Sequence, residues 1–410
     1  MKLIRVVLLS AITIVMLLGC PVVDNSIHIS YEGNLSSGGT PPTDSHSYNE
    51  ADEITVLGNI GSLIKPGFIF DGWNTQSNGN GSTYVADDTL TIGAQNTTLY
   101  AQWRAIDAIK AVAVGSGFTY ILREDGSLWT TGINGAGQLG NGSTDAEYVA
   151  TKIMDGVKAI SAGQQFAMIL KDNGDLYGTG DNSDGQLGLG DYVNRSTPTF
   201  VKANIASIDC GTFYTMAIDT DGDLWATGSN GISGVLGNNS EDNQLTFIKI
   251  DIPDNKEVAT VSAGERHTLF VTADGKLYGM GDRTGGVLIL PIGSGTDWEE
   301  NTYLRVPTLL SDALPAIRSI SAGKNHSLVV TTNNELYSFG LQNYGSLGNG
   351  VHDFGIALFT PYKVTDSLLL NNNINAVQKA IAGVNNTLIL KTDGTLLAVG
   401  SDYNHNLGDG

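Results

Sequence analysis

Residues 321–340 read SAGKNHSLVVTTNNELYSFG. The apolar run Leu328-Val329-Val330 meets a turn-forming pair, Asn333-Asn334, and then a second run that closes on Gly340. That is the pattern of a strand, a tight turn and a strand. His326 stands just ahead of the first run. Taken alone it invites a catalytic or metal-binding reading. Further segments of the chain repeat the pattern in register, and they decide what the histidine means.

Each copy opens on a glycine: Gly115, Gly163, Gly211, Gly264, Gly323 and Gly383. Successive glycines lie 48, 48, 53, 59 and 60 residues apart. The turn column reads Asp125-Gly126, Asn173-Gly174, Asp221-Gly222, Asp274-Gly275, Asn333-Asn334 and Asp393-Gly394. Such hairpin turns need a left-handed backbone, which Gly takes freely and Asn tolerates. Behind the turn stands Trp129, Tyr177, Trp225, Tyr278, Tyr337 or Leu397, then a closing glycine (Gly132, Gly180, Gly228, Gly281, Gly340 or Gly400). GQLGNG (137–142), GQLGLG (185–190), GVLGNN (234–239) and GSLGNG (345–350) follow. A period near fifty residues holding four short strands describes a propeller blade. The expected fold class is all-β, a β-propeller of six recognisable blades over 105–410.

The column that contains His326 reads Phe118, Phe166, Tyr214, His267, His326 and Asn386. A general base or a metal ligand is not exchanged for phenylalanine in sister blades. The column therefore reads as a packing and strand-spacing position.

The pattern A-G-x-x-H-(S/T)-x-x-L followed by D-G-x-(L/V)-(Y/W)-x-x-G-x-N-x-x-G-Q-L-G resembles the repeats of the regulator of chromosome condensation family. That family is typically seven-bladed, and six copies are present here. The resemblance implies either six blades closed by an N-terminal strand or part of a seven-bladed ring. The nucleotide-exchange activity of its eukaryotic members is not carried over, because fold does not imply function.

Ahead of the repeats lie PGFIFDGWNT (66–75) and NTTLYAQW (96–103). Phe68, Phe70 and Trp73 suggest one apolar strand face running into a turn. These motifs resemble the internalin B-type repeat, a small β-grasp-like module of bacterial surface proteins, over residues 27–103. The resemblance implies a spacer or adhesion module, with Trp73 and Trp103 in its core.

The first twenty residues, MKLIRVVLLSAITIVMLLGC, pair a positive start (Lys2, Arg5) with an apolar run of signal-peptide length. Leu17-Leu18-Gly19-Cys20 resembles the lipobox of bacterial lipoproteins. The resemblance implies cleavage after residue 19, acylation of Cys20 and a short tether over 20–26. Lipidation of Cys20 leaves Cys210 without an intrachain disulfide partner. The expected location is the cell envelope, at the outer membrane or cell surface, with the membrane reached through the lipid anchor. The formal net charge of −20 argues against a nucleic-acid partner, since phosphates require Lys and Arg.

No catalytic, cofactor or metal-binding constellation emerges. HExxH, Cys-x-x-Cys and a G-x-S-x-G elbow are absent. DTDGD (219–223) lacks the glycine and bidentate glutamate of a calcium loop and reads as a hairpin turn. What remains is surface, at two breaks in the repeat. Residues 282–307 carry Trp298, Glu299, Glu300 and Tyr303, and residues 352–359 carry Phe354. Aromatic side chains in loops on a rigid scaffold suit an interface. The expected function is a lipid-anchored bacterial surface protein whose propeller binds a protein or glycan through these loops. Inhibition of a secreted enzyme by capping is a second binding-type reading. A propeller hydrolase or lyase is the reading from another class, and it requires carboxylates or histidines converging at one ring mouth.

Overall fold

The hairpin turns take the backbone their residues favour. Asn334 sits at φ 64°, where the sister blades place glycine, as at Gly174 with φ 85°. In each copy this turn joins two antiparallel strands whose side chains alternate between blade faces. The computed structural model describes residues 26–105, 108–289, 303–311, 314–351, 355–364 and 376–401. Cys20, Trp298, Glu299 and Phe354 lie outside them. The chain divides into two compact units, Met1–Asp107 and Ala108–Gly410.

In the first unit, β1 (Ile29–Glu32) pairs in parallel with β6 (Thr97–Ala105), and β6 runs antiparallel to β3 (Phe68–Asn74). β3 also pairs with β4 (Thr83–Tyr84), while β2 (Glu53–Thr55) and β5 (Thr89–Thr91) form a separate ribbon. A register shift between Phe70 and Gly72 changes which face β3 presents. It brings Phe70 and Trp73 together, ring centroids 5.0 Å apart, although an unbroken strand would point them to opposite faces. Trp73 is fully buried, and its indole N–H donates to Leu57 O at 2.8 Å. Phe68 lies on the exposed side, its ring under the Lys65 ammonium at 4.5 Å. The bulge thus lets Phe70 and Trp73 share the expected apolar face, with Phe68 at its exposed end.

The second unit is a series of blades. Blade 1 holds β7 (Ile109–Val114), β8 (Phe118–Arg123), β9 (Leu128–Gly132) and β10 (Glu147–Met154). Blade 2 holds β11 (Val157–Ala162), β12 (Phe166–Lys171), β13 (Leu176–Gly180) and β14 (Arg195–Lys202). Blade 3 follows with β15 (Ile205–Cys210), β16 (Tyr214–Asp219), β17 (Leu224–Gly228) and β18 (Gln244–Lys249). Blade 4 comprises β19 (Val258–Ala263), β20 (His267–Thr272), β21 (Leu277–Asp282) and β22 (Tyr303–Ser311). Blade 5 is built from β23 (Ile317–Ala322), β24 (His326–Thr331), β25 (Leu336–Gln342) and β26 (Ile356–Lys363). Blade 6 pairs β27 (Val377–Ala382), β28 (Asn386–Lys391) and β29 (Leu396–Gly400). The repeats therefore fold as an all-β propeller, with six blades among the described residues.

Antiparallel pairing sets the polarity of the blades. The turn from first to second strand and the loop from third to fourth strand share one end, the loop rim. The tight hairpins and the blade-to-blade connections share the other, the hairpin rim.

Consecutive blades pack face to face. Leu128, Leu176, Leu224, Leu277 and Leu336 occupy one column and are at most 1% exposed, whereas Leu396 in the same column is 63% exposed. Leu388 is likewise open, while Tyr120, Met168, Met216, Leu269 and Leu328 above it in the column are buried. At the other end of the series, Ile109 and Val114 of β7 are exposed, and Val157 and Ile205 in the column of Ile109 are buried. No described residue therefore covers the outer face of blade 6 or the opposite face of blade 1. Of the two expected ring closures, no strand from ahead of β7 joins blade 6 among the described residues.

Candidate functional site

The repeated polar side chains are consumed in joining blades. Ser161 Oγ accepts the backbone N–H of Cys210 at 2.9 Å, and Ser262 and Ser321 accept those of Ala322 and Ala382 at 3.0 Å each. In the same column of blade 3, Asp209 Oδ2 accepts Ala263 N at 2.9 Å. Burial pushes the Asp209 carboxyl above its usual range, against the hydrogen bonds it receives.

The column of His326 does more than pack. Tyr214 O–H lies 2.9 Å from Thr268 Oγ1, His267 Nε2 lies 2.9 Å from Ser327 Oγ, and His326 Nε2 lies 2.8 Å from Thr387 Oγ1. Each bond spans two neighbouring blades. Both histidines are fully buried, and burial depresses them, to about 3 for His267 and about 4 for His326. A neutral imidazole held this way is a clamp between sheets. The sequence signal was the neighbouring column: Thr268, Ser327 and Thr387 supply hydroxyls where the preceding blade has a polar ring, and Ala167 clusters with Phe118.

At the axis, the inner ends of the blades surround a cavity of about 400 Å³, whose lining includes Ser116, Gln164, Thr212, Glu265, Lys324 and Val384. Lys324 and Glu265 neutralise each other at 3.0 Å. Cys210 also lines it, but burial pushes the thiol up to about 12, which removes the thiolate needed for nucleophilic chemistry. The DTDGD segment is a hairpin turn: Asp219 Oδ1 accepts the N–H groups of Asp221 and Asp223, at 3.0 and 2.9 Å, and Oδ2 accepts the Trp225 indole at 2.8 Å. Among the described residues, no three His, Cys, Asp or Glu side chains gather as a metal site.

Of the residues expected in interaction loops, the described residues contain Tyr303. It begins β22 opposite Asp282, half-buried, with the Arg305 guanidinium 5.8 Å from its ring centroid. The larger exposed apolar groups sit elsewhere on the loop rim: Tyr148, Tyr192, Phe213, Ile232 and Tyr344. Loop-by-loop comparison could have found them, since no two copies share those residues.

Models of known families match both units. The regulator of chromosome condensation (RCC1) repeat matches residues 173–218, and a second model of that repeat matches 109–138, 157–186, 258–284 and 317–346. The Listeria-Bacteroides repeat domain matches residues 28–102. A protein of Evansella cellulosilytica named as a membrane protein is 38% identical over 85 residues, 20% of this chain and 12% of that protein. The ultraviolet-B receptor UVR8 of Arabidopsis thaliana is 32% identical over 117 residues, 28% of this chain and 25% of the receptor. The chain thus spans a quarter or less of the length of these relatives. Human WBSCR16 superposes with a TM-score of 0.64 at 20% identity, covering 80% of this chain and 83% of that one. Prp20p of Saccharomyces cerevisiae superposes with a TM-score of 0.58 at 20% identity, over 67% of each chain. Those likenesses concern the fold. The chain carries RCC1 repeats arranged as an all-β propeller, preceded by a Listeria-Bacteroides repeat domain.

Proposed function

We propose that this is a lipid-anchored protein of the bacterial envelope, in which the first unit serves as an internalin B-type spacer and the propeller is a protein-docking module. The observation that carries the docking reading is the division of labour in the blades. The repeated polar groups are spent on holding blades together, and the variable loops expose aromatic and aliphatic side chains. Scaffolds with rigid sheets and variable loops bind through the loops. The envelope reading rests on the signal-peptide-like start with Cys20, on the first-unit domain and on the membrane naming of the Evansella relative. Two or more acyl chains on Cys20 would hold the protein stably at a membrane.

Metabolic labelling with an alkyne fatty acid tests the anchor. The expected result is label on the full chain, loss of label in Cys20→Ser, and protease sensitivity of the propeller on intact cells. An unlabelled protein in the cytoplasm refutes the envelope reading. Docking through the expected loops is tested by deleting 284–304. Unchanged binding of a partner would remove Trp298, Glu299 and Tyr303 from the interface and leave the rest of the rim.

A further inference from the structure

The exposed apolar side chains of the propeller are not scattered. Apart from blades 1 and 6, and from Phe200, Val306 and Phe359 on outer strands, they gather on the loop rim. Tyr148 is 93% exposed, and Tyr192, Phe213, Ile232 and Tyr344 are also exposed there. The described hairpin turns and blade-to-blade connections carry no large exposed apolar side chain. Single exposed apolar groups need no explanation, but their concentration at one end does.

The loops that present them are fixed to one another. Thr179 Oγ1 of blade 2 donates to Gly137 O of the blade 1 loop at 3.0 Å. Thr227 Oγ1 of blade 3 donates to Gly185 O of the blade 2 loop at 2.9 Å, and Asn243 Nδ2 donates to Asp184 Oδ1 at 3.0 Å. Arg305 of blade 4 reaches Ile232 O of the blade 3 loop at 3.2 Å. The rim from blade 1 to blade 4 is thus a continuous, preorganised surface, which lowers the ordering cost of binding.

Its charge identifies what fits. The basic groups of this rim are already engaged. Arg195 pairs with Asp191 at 2.7 Å, Arg266 with Asp282 at 3.6 Å, Lys324 with Glu265 at 3.0 Å, and Arg305 with Glu241. Asp145, Glu147, Asp184 and Asp242 face no cation among the described residues. The hairpin rim likewise places Lys152, Lys256 and Lys363 against its own carboxylates, Asp155, Asp274 and Glu335, so the exposed apolar groups rather than the pairing of charges distinguish the loop rim. Anionic phosphates and anionic lipid headgroups are repelled by the loop rim, and so is the same rim of a second copy.

We infer that the loop rim docks a protein surface on which apolar side chains are flanked by lysine and arginine. This rests on the docking reading and specifies its face and its partner chemistry. The apolar groups supply buried contact, and the uncompensated carboxylates supply attraction and orientation.

The test is fluorescence anisotropy with the full chain and two labelled amphipathic peptides, one of Leu and Arg and one of Leu and Glu at the same positions. The Leu/Arg peptide binds and the Leu/Glu peptide does not. Y148S/Y192S/I232S weakens binding about tenfold or more, with an unchanged circular dichroism spectrum. D145N/E147Q/D184N/D242N weakens it by about tenfold and flattens its dependence on salt. E124Q/D172N/D175N/D221N removes the same charge from the hairpin rim and changes affinity less than about twofold. Equal weakening by the two charge variants overturns the inference, because attraction to net charge alone then explains binding. Dominance of the hairpin-rim variant also overturns the choice of rim, yet leaves the propeller a docking module. No binding of the Leu/Arg peptide up to about 1 mM overturns the partner chemistry.

Discussion

His326 and His267 are each held by one ring nitrogen. Ser327 Oγ donates to Val287 O at 2.7 Å, so it accepts from His267 Nε2. Thr387 Oγ1 donates to Ser346 O at 2.8 Å and accepts from His326 Nε2. Both imidazoles therefore carry a proton on Nε2, burial favours their neutral form, and each Nδ1 is buried without a partner. Their folded values, about 3 for His267 and about 4 for His326, lie below the ordinary imidazole value of 6.5. The unfolded chain then binds more protons, so stability falls as pH drops below about 6.5 and continues to fall towards the folded values. The slope is about 1.4 kcal/mol per pH unit per histidine within that window. Urea midpoints between pH 7 and pH 5 should therefore fall for the native chain. His267→Phe/His326→Phe, using the residue of Phe118 and Phe166, should flatten that slope measurably. An unchanged slope would show that the rings protonate inside the fold.

At the scale of strands, burial in a column is decided by the neighbouring blade rather than by the residue. Leu336 and Leu396 share a sequence context, a strand position and a side chain, yet one is buried and the other open. Leu336→Ala should cost about 3 kcal/mol in urea unfolding, and Leu396→Ala less than about 0.5 kcal/mol. The repeat itself was legible because glycine turns and period-two alternation are local. Turn, strand and closing glycine could be read off each copy, and the strands fall where the copies place them. The β3 bulge was not legible in the same way. A one-residue change of phase at Gly72 leaves composition unchanged and is chosen by pairing with β6.

At the scale of the molecule, the two units have separate cores. Ile29, Leu63, Trp73 and Leu99 belong to one cluster confined to the first unit. The blades form their own clusters, as around Met216 and Phe270. Residues 26–105 expressed alone should unfold as a cooperative unit, and calorimetry of the full chain should resolve two transitions. A single transition that disappears when the first unit is removed would contradict this.

The amino-acid sequence by itself determined the blade period, the hairpins, the all-β class and the histidine column as a repeated packing position. These depend on backbone preferences and on alternation within a few residues. Only the tertiary structure decided that the histidines clamp neighbouring sheets. It alone showed that no described residue covers the outer faces of blades 1 and 6, and that most large exposed apolar groups of the other blades gather on one rim. Those properties arise between segments about fifty residues apart in sequence, where burial and hydrogen bonding depend on which sheet comes next.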